Sequence, residues 1–228
     1  MMKPLTYQDY LDGTKQVLEE SKKEKVPYSV EVLGKEFVVY PDVFSPKYFH
    51  DTEIFASHLP ITSGQSFLEI GPGTGVISIV AVYKGAERVV AIDINPQAVA
   101  NTQANIEAHH LEERVSVRFG NLYSALEEGE KFDTIFWNVP FGLVSESGLS
   151  DLEKSIYDSG YQSIERFVIE AKRHMNSPGR LLIGFSSTLG RLDLVQKFCI
   201  EAGMTLKLLH EEESEEVHPV KFELFEAR

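Results

Sequence analysis

Cysteine is nearly missing from this chain. A single thiol, Cys199, excludes an internal disulfide framework and any metal site built from cysteines. It lies in the apolar helical pattern VQKFCIEAG, the setting of a packed core thiol. No run of about 18 apolar residues occurs, so no transmembrane span is expected. The stretch MMKPLTYQDYLDG lacks the apolar centre of a signal peptide, and the expectation is a cytoplasmic protein. Basic residues are scarce: 22 Lys and Arg stand against 35 Asp and Glu, a net charge of −13. A surface of that sign repels free nucleic acid. A nucleic-acid substrate is thereby disfavoured and would need a local basic rim or a partner subunit. Part of the acidic excess is one run, EEESEE, Glu211 to Glu216, expected as a solvated loop. The seven histidines show no metal-ligand spacing, His109 and His110 read as solvated at a helix end, and no metal is expected. Internal repeats and low-complexity tracts are lacking as well.

What remains is an ordinary globular composition. With 228 residues, 43% hydrophobic and 25% charged, the chain suits one α/β domain with an extension. TYQDYLDGTKQVLEESKKEK predicts an amphipathic helix. YSVEVLGKEFVVYP predicts a hairpin turning at Leu33-Gly34-Lys35, and HDTEIFASHLP a short helix ending near Pro60. These elements form an N-terminal unit over residues 1–60. Over residues 61–228, strands and helices alternate. SFLEI, RVVAIDI, VSVRFGN, FDTIFWN and GRLLIGFS read as strands. GVISIVAVYKGA, PQAVANTQANIEAHH, YQSIERFVIEAKRHM and TLGRLDLVQKFCIEAG read as helices. MTLKLLH and VKFELFEA flank the acidic run as an antiparallel hairpin at the sheet edge. Short, continuously apolar central strands require a sheet covered on both faces. The fold class is α/β, a doubly wound Rossmann-like sheet.

Chemistry concentrates at the strand ends. LEIGPGTGV, Leu68 to Val76, places Gly71, Gly73 and Gly75 between the first strand of the alternation and its helix. Glycines there allow a tight turn and close approach of a ligand, and the helix start offers free N–H groups. The spacing G-x-G-x-G departs from G-x-G-x-x-G, and the acidic Glu69 precedes it. A pyrophosphate has no use for that acid, whereas an amino-acid ammonium does. Asp93 ends the next strand, where an acid can take both ribose hydroxyls. Asn121 follows the third strand, where an amide can meet an adenine edge. Together the three strand ends suit a nucleoside joined to an amino acid, which is S-adenosylmethionine.

From about Ser66 to Arg228 the chain resembles class I S-adenosylmethionine-dependent methyltransferases. The resemblance implies a seven-stranded sheet whose last hairpin strand is antiparallel. It implies that Glu69, Gly71, Gly73 and Gly75 hold the methionine part. Asp93 would hold the ribose, with Ile94 against the adenine and Asn121 and Leu122 flanking it.

FDTIFW then runs straight into Asn138-Val139-Pro140-Phe141. Methyltransferases that modify planar nitrogens end their fourth strand in Asn/Asp-Pro-Pro-Phe/Tyr, and Val139 is the departure from that pattern. A planar amide or amino nitrogen is a poor nucleophile because its lone pair is delocalised. Two acceptors, the Asn138 side-chain oxygen and the carbonyl of Val139, would hold its N–H groups and aim the lone pair at the methyl. Phe141 would stack on the planar group. Pro140 biases Val139 to an extended shape. Trp137 reads as core packing.

The preceding segment resembles the linker of HemK-like glutamine methyltransferases, with Leu33-Gly34-Lys35-Glu36-Phe37 as its hairpin and Pro46 to Glu53 as its lead-in helix. Thr52 would approach the cofactor's carboxylate end. That resemblance implies a protein glutamine-type amide as substrate. The form Asn-x-Pro-Phe also permits adenine or guanine amino groups of nucleic acid. A non-catalytic cofactor-binding scaffold and a small-molecule N-methyltransferase are the remaining readings.

Overall fold

Phe67 and Leu68 are chain neighbours that enter different cores, and that alternation organises the molecule. The computed structural model describes residues 5–215 and 217–228. The first four residues of the MMKP start and Glu216 of the acidic run lie outside the described residues.

Chain order runs α1 (Tyr7–Ser21), β1 (Tyr28–Val32), β2 (Lys35–Val39), α2 (Asp51–His58), β3 (Ser66–Ile70), α3 (Val76–Tyr83), β4 (Arg88–Asp93) and α4 (Pro96–Ala108). It continues β5 (Val115–Phe119), β6 (Phe132–Asn138), β7 (Gly142–Val144), β8 (Tyr157–Ser159), α5 (Gln162–Glu170), β9 (Met175–Phe185), α6 (Leu192–Glu201), β10 (Leu206–Glu215) and β11 (Pro219–Ala227). Seven strands form one sheet in the order β10-β11-β9-β6-β3-β4-β5. β3 pairs in parallel with β4 and β6, β6 with β9, and β4 with β5. β11 lies antiparallel to both β9 and β10. The expected sheet and its reversed strand are both present.

Leu68, Val90, Ile135 and Leu181 face one core with Ile164 and Phe167 of α5 and Phe198 and Cys199 of α6. Phe67, Val89, Phe136 and Leu182 face the other with Phe55 of α2, Ile79 of α3 and Ile106 of α4. Each fully buried side chain of this size contributes roughly 1.5–3 kcal/mol. Val32 and Phe37 of the hairpin sit in this second core too.

Polar groups pin the N-terminal elements. Asn101 and Asn105, one turn apart on α4, point the same way. Asn105 Oδ1 accepts from Val38 N and Asn101 Oδ1 from Tyr40 N, each at 2.8 Å. Both amide groups donate back to the Val38 carbonyl at 2.8 Å. Asn105 Nδ2 also donates to the Thr74 carbonyl at 2.8 Å, which joins the hairpin to the glycine turn. On α1, Leu18 packs with Phe49, Leu152 and Ile156, so the first helix braces the chain between β7 and β8.

Two expectations need correction, and one small pair of strands had none. From Glu211 to Glu215 the acidic run is not a loop: β10 continues through these residues, pairing Glu211 with Glu223 and Glu213 with Lys221. An edge strand tolerates exposed acids, because charge there discourages pairing with another chain. The helix after Tyr161 stops at Glu170, and β9 begins at Met175 rather than near Gly179. The small parallel pair β7–β8 had no periodic signal, since each strand is three residues long. Among the described residues no helix is long and apolar enough to cross a membrane.

Candidate active site

A pocket of about 500 Å³ opens at the carboxyl ends of β3, β4 and β6, where the sheet order reverses direction. In open α/β sheets that switch point is the binding crevice.

Glu69 lines it from β3 and is 2% exposed. Burial raises its pKa to about 8, although the Ser78 hydroxyl donates to its carboxylate. Gly71 and Gly73 line the turn with φ of +63° and +58°. A Cβ on Gly71 would stand 2.9 Å from Trp137 Nε1, so that position needs glycine for space as well as for its dihedral. Gly75, at φ +82°, faces away. It opens α3, and a Cβ there would meet Thr102 Cγ2 at 2.9 Å, so this glycine serves helix packing rather than the pocket.

Asp93 lines the pocket from β4, and burial raises its pKa to about 6. Its carboxylate accepts from the backbone N–H of Asn95 at 2.8 Å and of Gly73 at 3.1 Å. Ile94, partly exposed, and Asn121 and Leu122 after β5 complete that side. Leu122 holds φ +54°, and its side chain joins the core. Thr52 reaches the pocket from α2.

Asn138 lines the opposite wall with Pro140. Its Nδ2 donates to Asp51 Oδ2 at 2.8 Å. Its Oδ1 is buried and has no partner among the described residues. A buried acceptor left open in this way is a binding position for a donor. The Val139 side chain packs in the core, 1% exposed, and its N–H donates to the Gly184 carbonyl at 3.2 Å. Proline, the family's residue at this position, has no N–H for that bond.

Phe141 does not line the pocket. Its ring packs on Phe185 and Phe222, with centroids 5.8 and 6.0 Å away. Its carbonyl is held by the Tyr161 hydroxyl, which fixes the backbone direction and leaves the ring in that aromatic cluster. The aromatic residues that do line the pocket are Phe44, Trp137 and Tyr157. Trp137 is also core, edge-on to Phe167 at 5.1 Å.

Sequence reading passed over Asp51, Tyr161 and the stretch between β7 and β8. Asp51 stood beside Thr52 in the lead-in helix, but its partner is 87 residues away and no spacing rule connects them. The stretch from Glu146 to Ser159 forms one wall of the pocket and contributes Glu146, Asp151, Lys154 and Asp158. Lys154 Nζ is paired with Asp151 at 2.8 Å. Folding also gathers His58, His210 and Glu212, whose ligand atoms lie within 4.8 Å of one another. The two imidazoles stack face to face, centroids 3.3 Å apart at 12°, so their lone pairs lie in nearly parallel planes and do not converge on one ion.

The residues fit S-adenosylmethionine: an acid for an ammonium group, an acid for ribose hydroxyls, and glycines that leave room between them. The family model of the methyltransferase small domain matches residues 34–204. A protein of Methanocaldococcus jannaschii, provisionally named a protein N5-glutamine methyltransferase, is 29% identical over 192 residues, covering 80% of this chain and 94% of its own. The release factor glutamine methyltransferase of Aquifex aeolicus is 27% identical over 210 residues, covering 83% of this chain and 73% of its own. A solved ribosomal protein L11 methylase from Lactobacillus delbrueckii subsp. bulgaricus shares the fold, with a TM-score of 0.56 at 15% identity over 78% of this chain and 77% of that one. With most of its length under the family model, the chain belongs to the methyltransferase small domain family, the S-adenosylmethionine-dependent methyltransferases with a Rossmann-like sheet.

Proposed function

We propose that this chain methylates a planar nitrogen, the side-chain amide of a glutamine in a protein. One observation carries the reading: the buried Oδ1 of Asn138, an acceptor without a partner among the described residues at the wall of the pocket. The names of the two relatives support the glutamine amide as substrate.

The cofactor supplies a methyl group made electrophilic by its sulfonium. Glu69 accepts its ammonium and Asp93 its ribose hydroxyls. Gly71 and Gly73 admit the methionine part, with Thr52 at the carboxylate end. Ile94, Asn121 and Leu122 enclose the adenine. Asn138 Oδ1 and the Val139 carbonyl accept the two N–H bonds of the substrate amide, leaving its lone pair directed at the methyl. As positive charge grows on nitrogen, those same acceptors stabilise it. The proton leaves to water after transfer, so no strong base is needed.

The charge of the pocket favours protein over nucleic acid. Glu146, Asp151 and Asp158 line it, and its one cation among the described residues, Lys154, is already paired. A phosphate backbone meets repulsion there.

The test is methyl transfer. Purified protein is incubated with methyl-labelled S-adenosylmethionine and cell extract, then treated with nuclease or protease. Label that survives nuclease and yields to protease supports the reading, and mass spectrometry then locates a methylglutamine. Label released by nuclease assigns the activity to a base amino group instead.

A further inference from the structure

The Asn138 amide has two ends of nearly equal size and opposite chemistry, one donating and one accepting. Shape does not distinguish them, so a neighbouring group must. If the amide were reversed, its NH₂ would face the NH₂ of the substrate, donor against donor.

We propose that Asp51 is the positioning residue that sets this orientation, its carboxylate holding the Asn138 NH₂ so that the oxygen faces the pocket. The proposal rests on the planar-nitrogen reading for its consequence in catalysis, and on geometry for the orientation itself. An ionised carboxylate only accepts. Nδ2 of Asn138 approaches Asp51 Oδ2 at 2.8 Å, and the other Asp51 oxygen accepts from the Thr52 N–H at 2.9 Å. Asp51 is 3% exposed. It borders a small cavity whose walls include Thr14 of α1, Phe49, Val139, Phe141 and Phe222, none of them ionisable. His50 is the nearby titratable group that opposes loss of the Asp51 charge. Across Asn138, the charged groups of the pocket are Glu69, Asp93, Glu146, Asp151, Lys154 and Asp158.

Burial raises the Asp51 pKa to about 6, so a modest drop in pH converts it to a carboxylic acid. The protonated group has an O–H to donate, which competes for the Asn138 oxygen and removes the preference for one orientation.

The test reads the orientation apart from activity. In ¹⁵N-labelled protein, the side-chain NH₂ signals of Asn138 are assigned by their loss in Asn138→Ala and followed from pH 5 to 8. In the wild type they shift with a midpoint near 6. In Asp51→Asn, checked for folding by thermal melt and S-adenosylhomocysteine binding, they do not titrate. Wild-type Asn138 NH₂ signals that exchange with water as fast as an unbonded amide overturn the proposal even if every Asp51 variant fails to fold. Transfer to extract protein is measured alongside. Asp51→Ala should lose on the order of a hundredfold, the scale of a misplaced reacting group. Asp51→Ala should add nothing further in an Asn138→Ala background. Additive losses, or full transfer by Asp51→Ala, count against it. A wild-type titration without any transfer to protein upholds the Asp51 orientation and sinks the glutamine reading instead.

Discussion

The backbone N–H of Gly73 donates to the Asp93 carboxylate at 3.1 Å, tying the glycine turn after β3 to the acid that ends β4. Two features read separately along the chain are one unit in space. Asp93 also accepts from Asn95 N–H, so the same carboxylate shapes the turn into α4. Replacing Asp93 with alanine should weaken S-adenosylhomocysteine binding by about 1–3 kcal/mol, the scale of a charged acceptor lost. Thermal stability should fall too, because two backbone donors lose their partner. Calorimetric titration measures the first and a melt the second; an unchanged dissociation constant refutes the ribose assignment.

Asn138→Ala removes the open acceptor and leaves the strand intact. Methyl transfer should drop by about 10²- to 10³-fold, as when one preorganised hydrogen-bonding partner of the transition state is removed. Affinity for S-adenosylhomocysteine should stay within about twofold, because none of the groups assigned to the cofactor is altered. Steady-state transfer and calorimetry on the same preparation separate the two effects. Lost cofactor binding would place Asn138 in a different role.

The affinity for cofactor should depend on pH through Glu69. Burial raises this carboxyl to about 8, so the free protein holds it largely protonated at neutral pH. An ammonium partner favours the ionised form, which means that binding releases a proton. Affinity therefore rises as pH increases toward 8. The ligand's own α-amino group must also stay charged, so affinity declines again at the higher pH where that ammonium loses its proton. Titrations near pH 7 in two buffers of different ionisation enthalpy report the released proton directly. Glu69→Gln should bind weakly and lack the rising limb, and a wild-type profile that is flat from pH 6 to 8 contradicts the assignment.

Tyr161 is fully buried at φ +54°, and its hydroxyl bridges two backbones. It donates to the Phe141 carbonyl and accepts from Arg191 N–H at 3.0 Å. Tyr161→Phe strands both groups, which should cost about 1–3 kcal/mol and several degrees of melting temperature. Because Phe141 ends the Asn138 loop, transfer should fall further than S-adenosylhomocysteine affinity. A variant with normal transfer and a lowered melt would confine Tyr161 to stability.

Local patterns carried much of this protein in its sequence. Apolar alternation between helix and strand periods specified the layered sheet, since burial on both faces leaves no other use for SFLEI or RVVAID. The glycines, Glu69, Asp93 and Asn138 were legible because strand ends and turns have few reasons to carry such residues. The fate of Phe141 was not legible. Nothing in Asn-Val-Pro-Phe says that a tyrosine 20 residues later grips its carbonyl and leaves its ring among Phe185 and Phe222. The acidic run read as a loop because propensity is local, whereas β11 supplied the pairing partner that made Glu211 to Glu215 a strand. Composition and periodicity thus determined the fold class, through interactions that depend on near neighbours and on burial alone, and the motifs at the strand ends marked Glu69, Asp93, two of the pocket's glycines and Asn138. Tertiary structure decided the Asp51–Asn138 pair, the Tyr161 clamp and the wall between β7 and β8, because each joins segments far apart in the chain at hydrogen-bond or packing distance.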